Sequence, residues 1–223
     1  MKQILTLMTL MTVLAVTTAA WGQQIITTNI TVNTVVPDNN PNGLATAFTI
    51  SGVSGAISNV TVSLDVTGGF NGDLYAYLVG PNGGFAVLLN RSGVSSTSTY
   101  GYSDAGFNIT LSDASANNIH FYQNVLNPGG GQLTGTWAPD GENISPLSAP
   151  SSFPAASTAT LSSFQNTDAN GQWVFFIADL SPGGQSTLQN LVVTILTVPE
   201  PSTLVIASLG GLGMLAMMRR RKV

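Results

Sequence analysis

Hydrophobic residues recur at every second position through the middle of this chain. Val60, Val62, Leu64 and Val66 alternate with Thr61, Ser63 and Asp65, and Leu74, Ala76 and Leu78 alternate with Tyr75 and Tyr77. Trp173, Phe175 and Ile177 alternate with Val174, Phe176 and Ala178, and Leu191, Val193 and Ile195 with Val192 and Thr194. A period of two sets one face on a core and the other toward solvent. Turn signals separate the runs: Gly68-Gly69, Pro81-Asn82-Gly83-Gly84, Asn127-Pro128-Gly129-Gly130 and Pro182-Gly183-Gly184. Short strands with such turns, and no helical stretch between Ile25 and Leu196, predict an all-β fold, a β-sandwich or jelly roll. Residues 145–160, rich in Ser, Ala and Pro, read as a surface loop.

The ends differ from the middle. Met1-Lys2-Gln3 is a short basic start, Ile4 to Ala20 is an apolar run relieved only by Thr, and small residues follow. That order is a secretory signal peptide over residues 1–22, handed to the Sec machinery and signal peptidase. Ala20-Trp21-Gly22 places small residues for cleavage before Gln23; cleavage after Ala20 and retention as an anchor are the alternatives. The sandwich then occupies 23–197 and a third segment 198–223. In that segment Pro199, Glu200 and Pro201 precede an apolar stretch over 204–218, short against the roughly 20 residues of a comfortable span. Arg219, Arg220, Arg221 and Lys222 follow and belong on the cytoplasmic side of a membrane.

Pro-Glu-Pro, a short hydrophobic helix and an arginine cluster, in that order, resemble the PEP-CTERM sorting signal. The resemblance implies an exosortase that recognises and removes the tail, transient anchoring in the inner membrane, and a Gram-negative host that makes exopolysaccharide. The expected location is the cell envelope or the extracellular space. A plain C-terminal anchor without processing is the alternative.

Charge narrows the partners. Between Gln23 and Thr197 stand one arginine, Arg91, and nine acids, a net charge of −8. Nucleic acid, bound through Lys and Arg at phosphates, is excluded as a partner class. No cysteine is present, so disulfides, thiolate ligands and a cysteine nucleophile are excluded too.

The strand sequences resemble a second family. Asn71-Gly72-Asp73-Leu74, then Leu78 and Gly80-Pro81-Asn82-Gly83, are similar to the core of P domains (P/Homo B domains). So are Gly135-Thr136-Trp137-Ala138-Pro139-Asp140-Gly141 and the closing Asn170-Gly171-Gln172-Trp173, Asp179 and Leu188. The likeness spans about Val36 to Ile195 and implies a jelly-roll β-sandwich. P domains accompany subtilisin-like convertases, whose folding they assist, and also occur in other exported bacterial proteins. The histidine that often precedes the family's Gly-Asp-Leu is replaced here by Val66-Thr67-Gly68-Gly69-Phe70.

Catalytic residues are expected to be absent. A Ser-His-Asp triad needs a histidine base, and the single histidine, His120, has no Gly-x-Ser-x-Gly elbow to serve. Asp38-Asn39-Asn40-Pro41-Asn42-Gly43 matches the opening of a calcium loop, with Asp38, Asn40 and Asn42 as ligands. Its twelfth position is Thr49 rather than a bidentate Glu, so an Asx-rich turn is the competing reading. Asp104, Asp113, Asp140, Glu142 and Asp179 are further acids whose grouping the sequence leaves open. Tyr75, Tyr77 and Phe176 should face outward together, where aromatic rings could stack on sugars or pack across strands. The expected role is a non-catalytic exported surface or matrix protein, associated with exopolysaccharide. The alternatives are a module assisting a separate subtilisin-like protease and a hydrolase built on carboxylates alone.

Overall fold

The computed structural model describes residues 23–198. The signal segment, the Pro-Glu-Pro tail and the apolar stretch expected over 204–218 lie outside the described residues. Nine strands are present among them: β1 (Gln24–Val35), β2 (Asn40–Ile50), β3 (Ala56–Gly68), β4 (Leu74–Val79), β5 (Phe85–Asn90), β6 (Gly106–Leu111), β7 (Leu133–Trp137), β8 (Gly171–Asp179) and β9 (Ser186–Val198). They form the expected sandwich. One sheet has the order β1-β9-β3-β6-β7 and the other β2-β8-β4-β5. Among these residues no helix is long and apolar enough to cross a membrane.

The period-two runs set the core. Val60, Val62, Leu64 and Val66 of β3 and Leu191, Val193 and Ile195 of β9 point inward and are fully buried. Leu74, Ala76 and Leu78 of β4 and Trp173, Phe175 and Ile177 of β8 meet them from the other sheet. The Trp173 indole N–H donates to the Ala169 carbonyl at 2.9 Å, so its one polar group is satisfied inside the core. On the outer face of β3 the hydroxyl of Ser63 bonds that of Thr110 on β6 across 2.9 Å.

Two departures from alternation matter for the site. Strand β5 buries Ala86, Val87, Leu88 and Leu89 completely, because chain from the β7–β8 connection covers its outer edge. Val87 N–H donates to Ala159 O at 2.8 Å, and Gly141 and Asp140 N–H donate to Val87 O and Leu88 O at 2.9 and 3.1 Å. The surface loop expected over 145–160 is therefore partly interior: Phe153 and Ala159 are buried. Strands β6 and β7 are parallel, which demands a long crossover, and residues 112–132 supply it with a short 3-10 stretch over Ile119–Asn124. Both connections close the open side of the sandwich between the edge strands β5 and β7.

Candidate functional site

His120 sits on that crossover. Asn118 precedes the 3-10 stretch and its side-chain oxygen accepts the His120 N–H at 2.7 Å, the capping role for which asparagine is suited. The Asn118 side-chain amide donates to the carbonyls of Pro139 and Asp140 at 3.1 and 3.0 Å. One residue thus ties the crossover to the segment that leaves β7. His120 is fully buried, its side chain 1% exposed, with the Phe153 ring stacked on the imidazole at 6.2 Å.

The ring nitrogens face different partners. Nε2 lies 2.9 Å from the Val94 carbonyl, which only accepts, so Nε2 carries a hydrogen and donates it. Nδ1 lies 2.9 Å from Asp140 Oδ2 and 3.7 Å from Glu142 Oε1. Among the described residues these are the only ion pairs. Asp140 also accepts the N–H groups of Asn90 and Glu142 at 3.2 and 3.3 Å. Glu142 Oε2, Asn90 Oδ1 and Ser92 Oγ are buried without a partner. Burial opposes a charged imidazole, but the hydrogen bond and charge of Asp140, with Glu142 and the Val94 carbonyl, hold the His120 pKa above its ordinary value. Burial raises the Asp140 and Glu142 carboxyls above theirs.

A second acid group forms near the Gly-Asp-Leu turn. Asp73, in the 3-10 turn Asn71–Asp73, and Asp179, at the end of β8, are both buried. The Asp73 carbonyl accepts Leu180 N–H at 2.9 Å, locking the two segments together. A side chain at Gly72 would overlap the Tyr100 carbonyl, so the motif's glycine permits the close approach of that loop. Burial pushes the Asp179 carboxyl up to about 6; the charges of Asp73 and Asp38 add to this against a hydrogen bond from the Ser181 backbone. Burial raises Asp73 as well, with Ser181 and Arg91 opposing. A cavity of about 500 Å³ opens beside Asp73, walled by Phe70, Tyr100, Tyr102 and Pro182.

The residues singled out by sequence fall in several places. Asp38 is exposed and acts electrostatically on Asp73 and Asp179. Asn40 Oδ1 accepts Asn42 N–H at 3.0 Å, an Asx turn, and the register of β2 on β8 shifts between Asn40 and Leu44. Tyr75, Tyr77 and Phe176 do come together on the outer face of the four-stranded sheet. Tyr77 stacks on Phe176 at 4.8 Å, Tyr75 lies 5.8 Å from Tyr77, and Phe85 joins at 5.4 Å. All three are half-buried by this packing. Asp104 accepts from the Tyr122 hydroxyl, Gln123 and Gly130 N–H at 2.7, 2.7 and 2.8 Å, and Asp113 accepts the N–H groups of Leu161 and Ser162. The grouping of His120 with Asp140 and Glu142 had no local signal beyond Asp140-Gly141-Glu142 leaving a strand, since its members meet only when the sandwich closes.

Residues 197–222 match the PEP-CTERM protein-sorting motif. The tail is a sorting signal. It holds Pro199, Glu200, Pro201, Arg219, Arg220 and Arg221, all outside the described residues, and it indicates an exported protein sorted to the cell envelope. No curated protein matches the chain. Among solved structures, the serine protease of Aeromonas sobria resembles it at 13% identity and a TM-score of 0.44, over 79% of this chain and 27% of the protease. The complex of that protease with its chaperone gives 12% identity and a TM-score of 0.45, over 80% of this chain and 27% of the other. At those scores the sandwich assignment rests on this chain's own strand pairing.

Proposed function

We propose that this chain is a non-catalytic β-sandwich of the cell envelope or its extracellular matrix, released from its signal peptide on export and relieved of its tail by an exosortase. The observation that carries the reading is the sorting motif at 197–222, which begins where β9 ends. The geometry of His120 supports the absence of peptidase chemistry. A histidine–carboxylate pair is two thirds of a nucleophile-activating triad, but the far nitrogen here faces the Val94 carbonyl rather than a serine hydroxyl. The packed face of Tyr75, Tyr77 and Phe176 is the surface proposed to meet exopolysaccharide.

A second reading, a P-domain-like module that assists a separate subtilisin-like protease, draws on the Gly72-Asp73-Leu74 turn. Those residues are buried and anchor the loop at Tyr100–Tyr102, the structural role a fold-defining motif would have. Fractionation with cross-linking in the native host separates the two. The first reading expects matrix polysaccharide to co-purify with the processed chain, and a strain without its exosortase to retain the tail at the inner membrane. Recovery of a serine protease in place of polysaccharide supports the second. Normal processing without the exosortase contradicts the first.

A further inference from the structure

We infer that His120, Asp140 and Glu142 form a site for one divalent transition-metal ion of the zinc class, with His120 Nδ1 as its nitrogen ligand. This inference is independent of the proposed envelope role. It starts from the tautomer. The Val94 carbonyl takes the Nε2 hydrogen at 2.9 Å, so Nδ1 is left facing two carboxylates. Metal-bound histidines are oriented in this way, with the second ring N–H held by a backbone carbonyl.

Spacing agrees. One ligand atom from each residue lies within 4.8 Å of the others, and Nδ1 is 2.9 Å from Asp140 Oδ2 and 3.7 Å from Glu142 Oε1. Bonds of about 2.0–2.1 Å in a tetrahedral zinc site set neighbouring ligand atoms about 3.3–3.4 Å apart, between those two values. The two edges from Nδ1 need to change by only a few tenths of an ångström, and the carboxylate oxygens, within 4.8 Å of each other, would draw together around the ion.

Charge and hydrogen bonding point the same way. Even with a fully protonated imidazole, two buried carboxylates leave the cluster at −1. The only other cation between 23 and 198, Arg91, turns its guanidinium to the carbonyls of Gly72, Thr99 and Pro146. Glu142 Oε2 is buried and accepts no hydrogen bond of good geometry, although the Ala155 backbone acts on this carboxylate, and a bidentate contact to the ion would satisfy it. A dication replacing the Nδ1 proton gives a neutral site with up to four ligand atoms. Calcium wants six to eight oxygens, and magnesium an octahedron that retains waters, so the mixed nitrogen and oxygen set selects a transition metal. The ligands are buried under Phe153, so the ion enters as the chain folds and leaves slowly. Binding releases the Nδ1 proton to solvent.

The test uses the full-length chain, unfolded and refolded with chelator or with zinc, then freed of loose metal by gel filtration. Elemental analysis should find one zinc per chain. The melting temperature should rise by roughly 5–10 °C at a hundredfold excess of zinc over its dissociation constant, with little response to calcium or magnesium. Glu142→Gln keeps the shape of the side chain and should weaken zinc binding at least about 100-fold with the circular dichroism unchanged. For wild-type protein, zinc should remove the His120 Nδ1–H resonance and keep Nε2–H, a readout that needs no variant. Retention of Nδ1–H in zinc-refolded protein, no stoichiometric zinc, or undiminished binding by folded Glu142→Gln would each overturn the site.

Discussion

Asp140 and Glu142 share their buried compartment with a base, whereas Asp73 and Asp179 share theirs mainly with each other. In the first group His120 lies within 3.7 Å of both carboxylates, and the backbone N–H groups of Asn90 and Glu142 complete the shell of Asp140. In the second, Arg91 acts electrostatically on Asp73 but directs its donors to backbone carbonyls, and Asp179 Oδ2 accepts the Ser186 hydroxyl at 3.3 Å; each group keeps one carboxylate oxygen, Glu142 Oε2 and Asp179 Oδ1, without a partner. The two groups also bind different parts of the fold. The first ties three connections across the open edge between β5 and β7; the second fixes the Gly-Asp-Leu turn to the end of β8. His120 offsets part of the cost of burying the first pair of acids, which still exceeds it by one negative charge, while the second pair has no base in contact.

The largest expected effect comes from removing the base. His120→Ala leaves two buried carboxylates without their partner, and breaking such a pair costs about 3–5 kcal/mol. A denaturant melt in chelator reads this directly; a loss under about 1 kcal/mol would show that the cluster does not hold the edge closed.

The second group should respond in the opposite direction. The Asp179 carboxyl is raised to about 6 in the folded chain, above its value when unfolded. The folded state therefore binds that proton more tightly. Its contribution is present at low pH and is lost as pH rises from about 4 to about 6. Asp179→Asn removes the charge and should stabilise the protein at pH 7 by about 1–2 kcal/mol, with a flatter stability profile between those pH values. Destabilisation at pH 7 would mean that the hydrogen bonds the ionised carboxylate accepts from the Ser186 hydroxyl and the Ser181 backbone outweigh the cost of its burial.

A satisfied acid lies between these extremes. Tyr122 donates to Asp104 at 2.7 Å and accepts from Asn71 at 3.0 Å, so Tyr122→Phe should cost about 1–2 kcal/mol. The smallest effect belongs to the exposed Asp38: Asp38→Ala should change stability by less than about 0.5 kcal/mol. Its melt should shift equally in calcium and magnesium if the loop is only the Asx turn that Asn40 and Asn42 form. A calcium-selective shift that Asp38→Ala abolishes would instead make the loop a calcium site.

The sequence disclosed this molecule unevenly, for physical reasons. Strands β3, β4, β8 and β9 bury one face and meet solvent or loops on the other, so their alternation is plain. Strand β5 is buried on both faces beneath another segment, which erases the alternation, and β7 exposes Thr134, Gly135 and Thr136 between its buried ends. Phe153 was hidden inside a stretch whose Ser, Ala and Pro content reads as surface. The site was the least legible part. His120 lies 20 residues from Asp140 and 26 from Val94, and only the parallel β6–β7 crossover brings them together. By contrast the sorting motif is a linear signal carried by consecutive residues, and it was legible as such, matching 197–222 where 198–223 was expected.

The claim on which the functional account depends is that the chain is exported and loses both ends. Intact-mass analysis of the protein recovered from the envelope and medium of its native host measures this most directly. The recovered chain should start at or near Gln23 and lack Arg219, Arg220, Arg221 and Lys222. A mature envelope species that still carries those four residues would contradict it.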